Sequence, residues 1–172
     1  MIEKGIKGHL EQTVTDELCA DRIGSGLVKV FATPMMIALI ERTCNESVTP
    51  LLDPGQGTVG TRIDVSHCAA TPVGMRVWCD SELVEVDRRR LLFSVRAYDQ
   101  CGLIGEGTHE RFIIDSDRFQ QKTEAKLKVE IRGNKYPTKS ETISKIRSLA
   151  SRFPRFAVCV KKDFQDFQDF AR

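Results

Sequence analysis

The chain has 172 residues, of which 41% are hydrophobic and 29% are charged, and its formal net charge is +2. These values are close to those of an average globular domain, so they exclude a disordered, collagen-like or solenoid protein. No stretch approaches the ~20 consecutive apolar residues of a membrane span, and the first ten residues lack the apolar core of a signal peptide. We therefore expect a cytoplasmic protein with no membrane partner.

Six cysteines are scattered along the chain: Cys19, Cys44, Cys68, Cys79, Cys101 and Cys159. They form no CxxC pair, and a chain of this length buries a core without disulfides, so we expect reduced thiols. Structural zinc needs ligands a few residues apart, and the chain has three histidines. We therefore expect no metal site.

Basic residues concentrate toward the C-terminus. Residues 120–172 contain 13 Lys and Arg against 6 Asp and Glu, whereas the first 119 residues contain 13 against 18. We predict a folded domain over residues 1–128 and a basic C-terminal extension over residues 129–172, partly helical at Thr138–Phe153. The basic charges are spread and form no known binding motif, so we do not expect a nucleic acid partner.

The first elements predicted along the chain are a strand within residues 8–18 and a long helix. Thr33 and Pro34 fit a helix start, with Thr33 as the N-cap and Pro34 at the first helical position. Residues 35–40 are all apolar, so this helix has no polar face over almost two turns and must be surrounded by protein. Pro50 and the turn residues after it end the helix.

Beyond the helix the hydrophobic period changes to two, which is typical of strands. One face of the first strand is predicted to carry Val59, Thr61, Ile63, Val65 and His67. Further strands follow at residues 75–86, 91–99 and 103–115, joined by tight polar turns. A helix that is apolar all round, followed by consecutive long strands, indicates an α+β fold in which an antiparallel sheet wraps around a long central helix, the hot-dog shape.

Glu41 is the first unusual residue of the helix, because it directly follows the apolar run and burying a carboxylate is costly. Thr33 lies eight positions earlier, a little over two turns, so its hydroxyl and the Glu41 carboxylate are predicted to line a common groove. Two readings stay open. Either the pair belongs to a site, or Thr33 is a cap and Glu41 has reached a hydrated helix edge beside Arg42.

His67 is the second unusual residue, since the strand alternation puts it in line with Ile63 and Val65 on the core-facing side. A buried imidazole needs a hydrogen-bond partner, and a buried Glu is a suitable one. The alternative is an ordinary core histidine. Together Thr33, Glu41 and His67 supply a hydroxyl, a carboxylate and a base, a combination that suggests acyl-transfer chemistry.

His109 and Arg111 lie two residues apart on the last strand. The face of His109 mixes small and charged residues, so we interpret His109 as an edge or interface residue. Arg111 either pairs with Glu110 at the surface or meets an anionic ligand. Gly55, Gly57 and Gly60 have the spacing of a GxGxxG motif, but Gly55-Gln56-Gly57 is a turn ahead of a predicted strand rather than of a helix, which argues against a Rossmann-type nucleotide cofactor. Neither the Walker motif GxxxxGK(S/T) nor the α/β-hydrolase motif GxSxG occurs.

Several motifs within residues 8–119 resemble one known family. They are Val30-Phe31-Ala32-Thr33-Pro34-Met35-Met36, Glu41 eight positions after Thr33, Gly57-Thr58-Val59-Gly60-Thr61, His67-Cys68-Ala69-Ala70-Thr71-Pro72-Val73-Gly74, and Gly105-Glu106-Gly107-Thr108-His109-Glu110-Arg111. Their order and separations resemble the fluoroacetyl-CoA thioesterase-like branch of the hot-dog superfamily.

The resemblance implies a homodimeric acyl-CoA thioesterase with its active site near the subunit interface. Its catalytic Thr, Glu and His match Thr33, Glu41 and His67. A glycine near the acyl carbonyl matches Gly60, and an arginine near the acyl pocket matches Arg111. No cofactor is implied, because CoA is part of the substrate.

Substrate choice is read from the stretch ahead of Thr33. The fluoroacetate-specific member of the family has phenylalanines in a lid there, whereas residues 24–27 of this chain carry none. We therefore expect hydrolysis of a short or medium acyl-CoA. The competing hypothesis is a noncatalytic acyl-CoA-binding or sensing module, which has no need to bury both Glu41 and His67.

Overall fold

The computed structural model of the chain describes residues 2–128. Its strands are β1 (Lys7–Thr13), β2 (Gln56–His67), β3 (Arg76–Asp87), β4 (Arg90–Asp99) and β5 (Gly102–Asp115). Its α-helices are α1 (Ala20–Ile23), α2 (Thr33–Val48) and α3 (Ser116–Glu124), and short 3₁₀ turns occupy Asp16–Leu18, Thr49–Leu51 and Ala125–Lys128. None of these helices is long and apolar enough to cross a membrane.

The five strands form one antiparallel sheet in the order β1-β3-β4-β5-β2, and α2 packs against its inner face. This confirms the predicted α+β hot-dog architecture. The compact unit ends at Glu124. The predicted extension over residues 129–172, with its helix at Thr138–Phe153, lies outside the described residues, and the boundary at residue 128 stays a prediction.

The core lies between α2 and the central strands. Every second residue of β4 from Leu91 to Asp99 is buried, because one face of the strand meets the helix and the other faces solvent. From the helix side the fully buried apolar residues are Met36, Leu39, Ile40, Cys44 and Val48. This packing carries the α2 side chains into the concave face of the sheet.

Helix α2 differs from its prediction in two ways. The N-cap position is Ala32, so Thr33 is the first helical residue and its side chain makes no capping bond. The Thr33 hydroxyl is instead available for a tertiary contact. The single chain also does not surround the helix: Ala38 is exposed and Ile37 is half-buried.

Strand β2 also departs from its predicted pattern. A β-bulge falls between Gly60 and Arg62, where the pairing with β5 shifts by one residue. The bulge changes the phase of the strand. The predicted face therefore holds only from Ile63 to His67, and Thr61 is exposed and hydrogen-bonds the Glu110 side chain.

Gly8 sets how closely β1 approaches helix α2. A Cβ on Gly8 would lie 2.8 Å from Cβ of Ser47, 2.9 Å from the main-chain oxygen of Thr43 and 2.7 Å from Oγ of Ser81. Two of these three atoms belong to α2. A side chain at residue 8 would therefore push β1 and α2 apart, at the cost of contacts elsewhere between them.

We expect Gly8→Ala to lower the free energy of unfolding by about 1–3 kcal/mol, as overpacked sites do. Thermal denaturation measures the effect. Gly26→Ala is the matched control, because the nearest atom to its Cβ is 3.4 Å away, and its melting temperature should stay near that of the wild type. Equal melting temperatures for the two variants would contradict the close approach of β1 and α2.

Candidate active site

Thr33 and His67 form a hydrogen-bonded pair. Thr33 begins α2 and His67 ends β2, and Oγ1 of Thr33 lies 2.8 Å from Nδ1 of His67. The sequence suggested a glutamate as the partner of this imidazole, and the structure provides the threonine hydroxyl instead. Nε2 of His67 is buried, and no described residue hydrogen-bonds it. The pair therefore presents one unengaged ring nitrogen.

The environment of His67 favours a neutral imidazole. Burial lowers the pKa of His67 below its usual value. A neutral imidazole keeps a lone pair that accepts a proton near pH 7. The Thr33–His67 pair can therefore serve as a base.

A cavity of about 470 Å³ adjoins the Thr33–His67 pair. Its other walls are mostly small or apolar and include Ala20, Val30, Phe31, Ala32, Ala69 and Ala70. Such a lining offers space to an uncharged group of modest size.

Glu41 lies at a second group of residues, beside the bulge of β2. A Cβ on Gly60 would lie 2.7 Å from Oε1 of Glu41 and 3.0 Å from Cε1 of His109. The Glu41 carboxylate thus occupies space that exists because residue 60 has no side chain. Its side chain is 45% exposed, so it is less buried than its position after the apolar run suggested.

Arg111 crosses from β5 to the helix and is 6% exposed. Nε donates to Oγ1 of Thr58 at 2.8 Å, and one terminal nitrogen donates to the Glu41 main-chain oxygen at 3.3 Å and to Nε2 of His109 at 3.2 Å. The other terminal nitrogen donates to Oδ1 of Asn45 at 3.2 Å and to the Thr58 main-chain oxygen at 2.9 Å. All five N–H groups of the guanidinium are therefore engaged within the chain.

His109 belongs to this second group, which the sequence did not indicate. It is 1% exposed, so the interpretation as an edge or interface residue is wrong. Its ring lies between Gly60 and Arg111, with Nε2 3.9 Å from Oε1 of Glu41. The misreading arose because Gly105 and Gly107, on the same strand face, look like surface positions in a period-two pattern, whereas Gly105 packs against Met36.

Within one chain the two groups stay apart. Eight residues of α-helix separate the Cα atoms of Thr33 and Glu41 by about 12 Å along the axis. Thr33 contacts His67 at one end of β2, and Glu41 approaches Gly60 near its other half. The predicted catalytic residues thus line one side of the α2–β2 contact but form two groups rather than one.

No group of three or more His, Cys, Asp or Glu residues within 2–128 is arranged to hold a metal ion. The five cysteines in this part of the chain all carry free thiols. Burial raises the pKa of Cys44 to about 12 and that of Cys79 to about 11, so both stay protonated at neutral pH.

Comparison with known proteins points to one family. The family described as fluoroacetyl-CoA-specific thioesterase matches residues 14–117, a span that contains both groups of site residues. The fluoroacetyl-CoA thioesterase of Streptantibioticus cattleyicolor is 45% identical over 98 residues, which are 57% of this chain and 70% of that protein.

Solved structures agree with the sequence comparisons. A fluoroacetyl-CoA thioesterase matches with a TM-score of 0.70 and 35% identity, covering 73% of this chain and 98% of its own. A thioesterase superfamily member from Thermus thermophilus matches with a TM-score of 0.69 and 26% identity, covering 76% of this chain and 98% of its own.

We expect His67 and His109 to take up a proton only below the usual histidine pKa of about 6.5, because burial lowers both pKa values. The unfolded chain binds these protons at higher pH than the folded one. Stability should therefore fall as the pH drops from about 6.5 through the lowered values. NMR titration of the imidazole signals, assigned with His67→Gln, measures the pKa values. A His67 pKa at or above 6.5 would contradict the desolvated site.

Proposed function

The chain belongs to the fluoroacetyl-CoA-specific thioesterase family, and we propose that it hydrolyses short or medium acyl-CoA thioesters to the free acid and CoA. The observation that carries the proposal is the family match over residues 14–117 together with the 2.8 Å Thr33–His67 pair inside that span. A hydroxyl-oriented imidazole beside a small apolar cavity suits a base acting on a thioester.

We assign the chemistry to Glu41 and His67, with Thr33 orienting the imidazole through Nδ1. In one route water adds to the thioester carbonyl while Glu41 or His67 takes its proton. The C–S bond then breaks, and the proton passes to the CoA thiolate. In the other route Glu41 attacks the carbonyl, the C–S bond breaks, and the CoA thiolate leaves and takes up a proton from His67 or water. Water then adds to the Glu41 carbonyl of the resulting anhydride and releases the free acid. Single turnover in ¹⁸O water separates them, because only the second route places the label in Glu41.

Gly60 and Arg111 have supporting roles in this proposal. A main-chain N–H at or near Gly60 would stabilise the developing oxyanion, a contribution of about 3 kcal/mol in other enzymes. The missing side chain at Gly60 lets the Glu41 carboxylate lie directly against this stretch of main chain. All five N–H groups of Arg111 are already hydrogen-bonded within the chain, so it has no N–H left to donate to the substrate. We therefore propose that Arg111 supports the acyl pocket by its positive charge and by its hydrogen bonds to α2.

We propose that the protein acts as a homodimer. Strand β2 is a 12-residue edge strand, and long unpaired edges are normally covered. The α2 face at Ile37 and Ala38 is left uncovered by the single chain. A twofold interface that includes the β2 edge and this helix face would cover both features.

The same dimer would complete the site. Within one chain Glu41 is about 12 Å along the helix from Thr33, and no described residue engages Nε2 of His67. We therefore propose that Glu41 of one subunit meets the Thr33–His67 pair of the other. The free thiols among the described cysteines fit a reducing compartment, which supports a cytoplasmic location.

A panel of acyl-CoA thioesters of increasing chain length, assayed for release of free thiol, tests the function. Acetyl-CoA and fluoroacetyl-CoA form the matched pair for the acyl group. Because residues 24–27 contain no aromatic side chain and Leu27 is 99% exposed, we expect no strong preference for the fluorinated substrate. Binding of acyl-CoA without thiol release would contradict hydrolysis and indicate the noncatalytic binding module.

We expect Glu41→Gln and His67→Ala each to lower kcat by about 10²-fold or more, since each removes a group acting in the reaction. Mixing the two inactive proteins should restore activity if the site is shared. One site of each heterodimer then contains an intact Glu41 and an intact His67 from opposite subunits.

The double variant Glu41→Gln/His67→Ala, mixed with wild type, is the control. Its heterodimer has no intact site when the residues come from different subunits, but one intact site when they come from the same subunit. With the double variant in excess, activity per wild-type subunit should fall toward zero for a shared site, and activity per wild-type subunit that stays constant would overturn it. A sedimentation profile showing only an active 19.4 kDa species would overturn the dimer.

Truncation after residue 128 should leave kcat within about twofold of the full chain, because all the assigned residues precede that point. The basic extension would attract the CoA phosphates electrostatically, so its removal should raise KM at low salt more than it lowers kcat. Steady-state kinetics at two salt concentrations measure both parameters. Loss of kcat at unchanged KM, or insolubility, would show that residues 129–172 belong to the folded unit.

A further inference from the structure

His109 is a buried titratable group that the reaction scheme does not use. It lies in β5 and is 1% exposed. Around it lie the Glu41 carboxylate of α2, the Arg111 guanidinium of its own strand and the Arg62 main-chain oxygen of β2. A histidine in such a place needs an explanation, because burying its polar atoms is costly unless each is paired.

The hydrogen bonds determine the tautomer of His109. Nδ1 lies 2.8 Å from the Arg62 main-chain oxygen, and a carbonyl oxygen only accepts, so Nδ1 carries the proton. Arg111 only donates, so Nε2, at 3.2 Å from it, supplies a lone pair. Both requirements are met together by the neutral imidazole protonated at Nδ1. The 3.9 Å approach of Nε2 to Glu41 is then not an ion pair.

The ring thereby links the bulge of β2 to the helix. The Arg62 carbonyl fixes the ring, the ring accepts from Arg111, and Arg111 donates to the Glu41 main-chain oxygen and to Asn45. Each step is a single hydrogen bond within 3.3 Å. A shift of the imidazole would displace the guanidinium and, with it, the helical turn that carries the Glu41 carboxylate.

We propose that His109 is a positioning residue for the thioesterase reaction, which holds Arg111 through Nε2 and so keeps Glu41 at Gly60. The inference rests on the proposed function of Glu41. It assigns His109 no contact with substrate and no proton transfer. The acceptor atom at Nε2, rather than the bulk of the ring, is the feature that the reaction requires.

Two substitutions distinguish the contributions of the two ring nitrogens of His109. The amide of His109→Gln reaches the position of Nε2 and can accept from Arg111, whereas the amide of His109→Asn reaches that of Nδ1 and can donate to the Arg62 carbonyl. We expect the Asn variant to lose about 10- to 100-fold in kcat with KM within about twofold, since misplaced groups act on the chemical step. The Gln variant should keep at least tenfold more kcat than Asn.

His9→Asn is the control, because His9 is an exposed histidine paired with Asp80 on the outer face, and its kcat should match the wild type. Melting temperatures establish that the variants are folded. Nitrogen-15 NMR of the wild-type protein near pH 7 gives a second readout that needs no activity. It should show His109 neutral and protonated at Nδ1.

The possible outcomes separate the inference from the proposed function. Equal losses of kcat in the Gln and Asn variants, or a His109 ring protonated at Nε2, would overturn the positioning role while wild-type hydrolysis continues. A wild-type protein that releases no thiol from any acyl-CoA overturns the proposed function instead. If the Gln variant does not fold, the folded Asn variant decides the inference, because an unchanged kcat there would overturn the positioning role.

Discussion

A buried guanidinium must have every N–H paired, and the region around Glu41 is organised by this constraint. Each unpaired buried donor costs about 1–3 kcal/mol, and Arg111 has five N–H groups. The chain supplies acceptors from three elements: α2 through Glu41 and Asn45, β2 through Thr58, and β5 through His109. Helix, edge strand and neighbouring strand are therefore held in one relative arrangement, and the Glu41 side chain projects from the turn that they fix.

The other end of the α2–β2 contact is built differently. The Thr33–His67 pair has one hydrogen bond, neutral side chains and an apolar cavity beside it, whereas the group around Glu41 is charged and its Arg111 guanidinium has every N–H paired. Burial lowers the pKa of His67, and the positive charge of Arg111 lies about two helical turns away at Glu41. The single chain thus holds a neutral imidazole and a carboxylate close to an arginine at opposite ends of the α2–β2 contact.

Periodicity predicted the long helix, the three consecutive strands after residue 75 and the fold itself, because these elements are long and strongly patterned. Helix α3 was missed, since Ser116–Glu124 has no buried residue and Phe119 is its one apolar side chain, which leaves no helical pattern to detect. The role of Thr33 as a cap was wrong because Ala32 takes that position and the hydroxyl turns to His67. Local spacing cannot reveal a partner 34 residues away. His109 was misread for a similar reason, since its burial depends on α2 and on the side chain of Arg111.

The bulge of β2 changes which residues of the strand share a face. Gly60 and His67 are seven residues apart, an odd number, so a regular strand would direct them to opposite faces. Both face the helix because Thr61 is an added residue in the ladder. An odd interval between two residues of one strand that both face inward is thus a mark of an inserted residue. Deletion of Thr61 would reverse the facing of one half of the strand, so Gly60 and His67 would no longer both face α2.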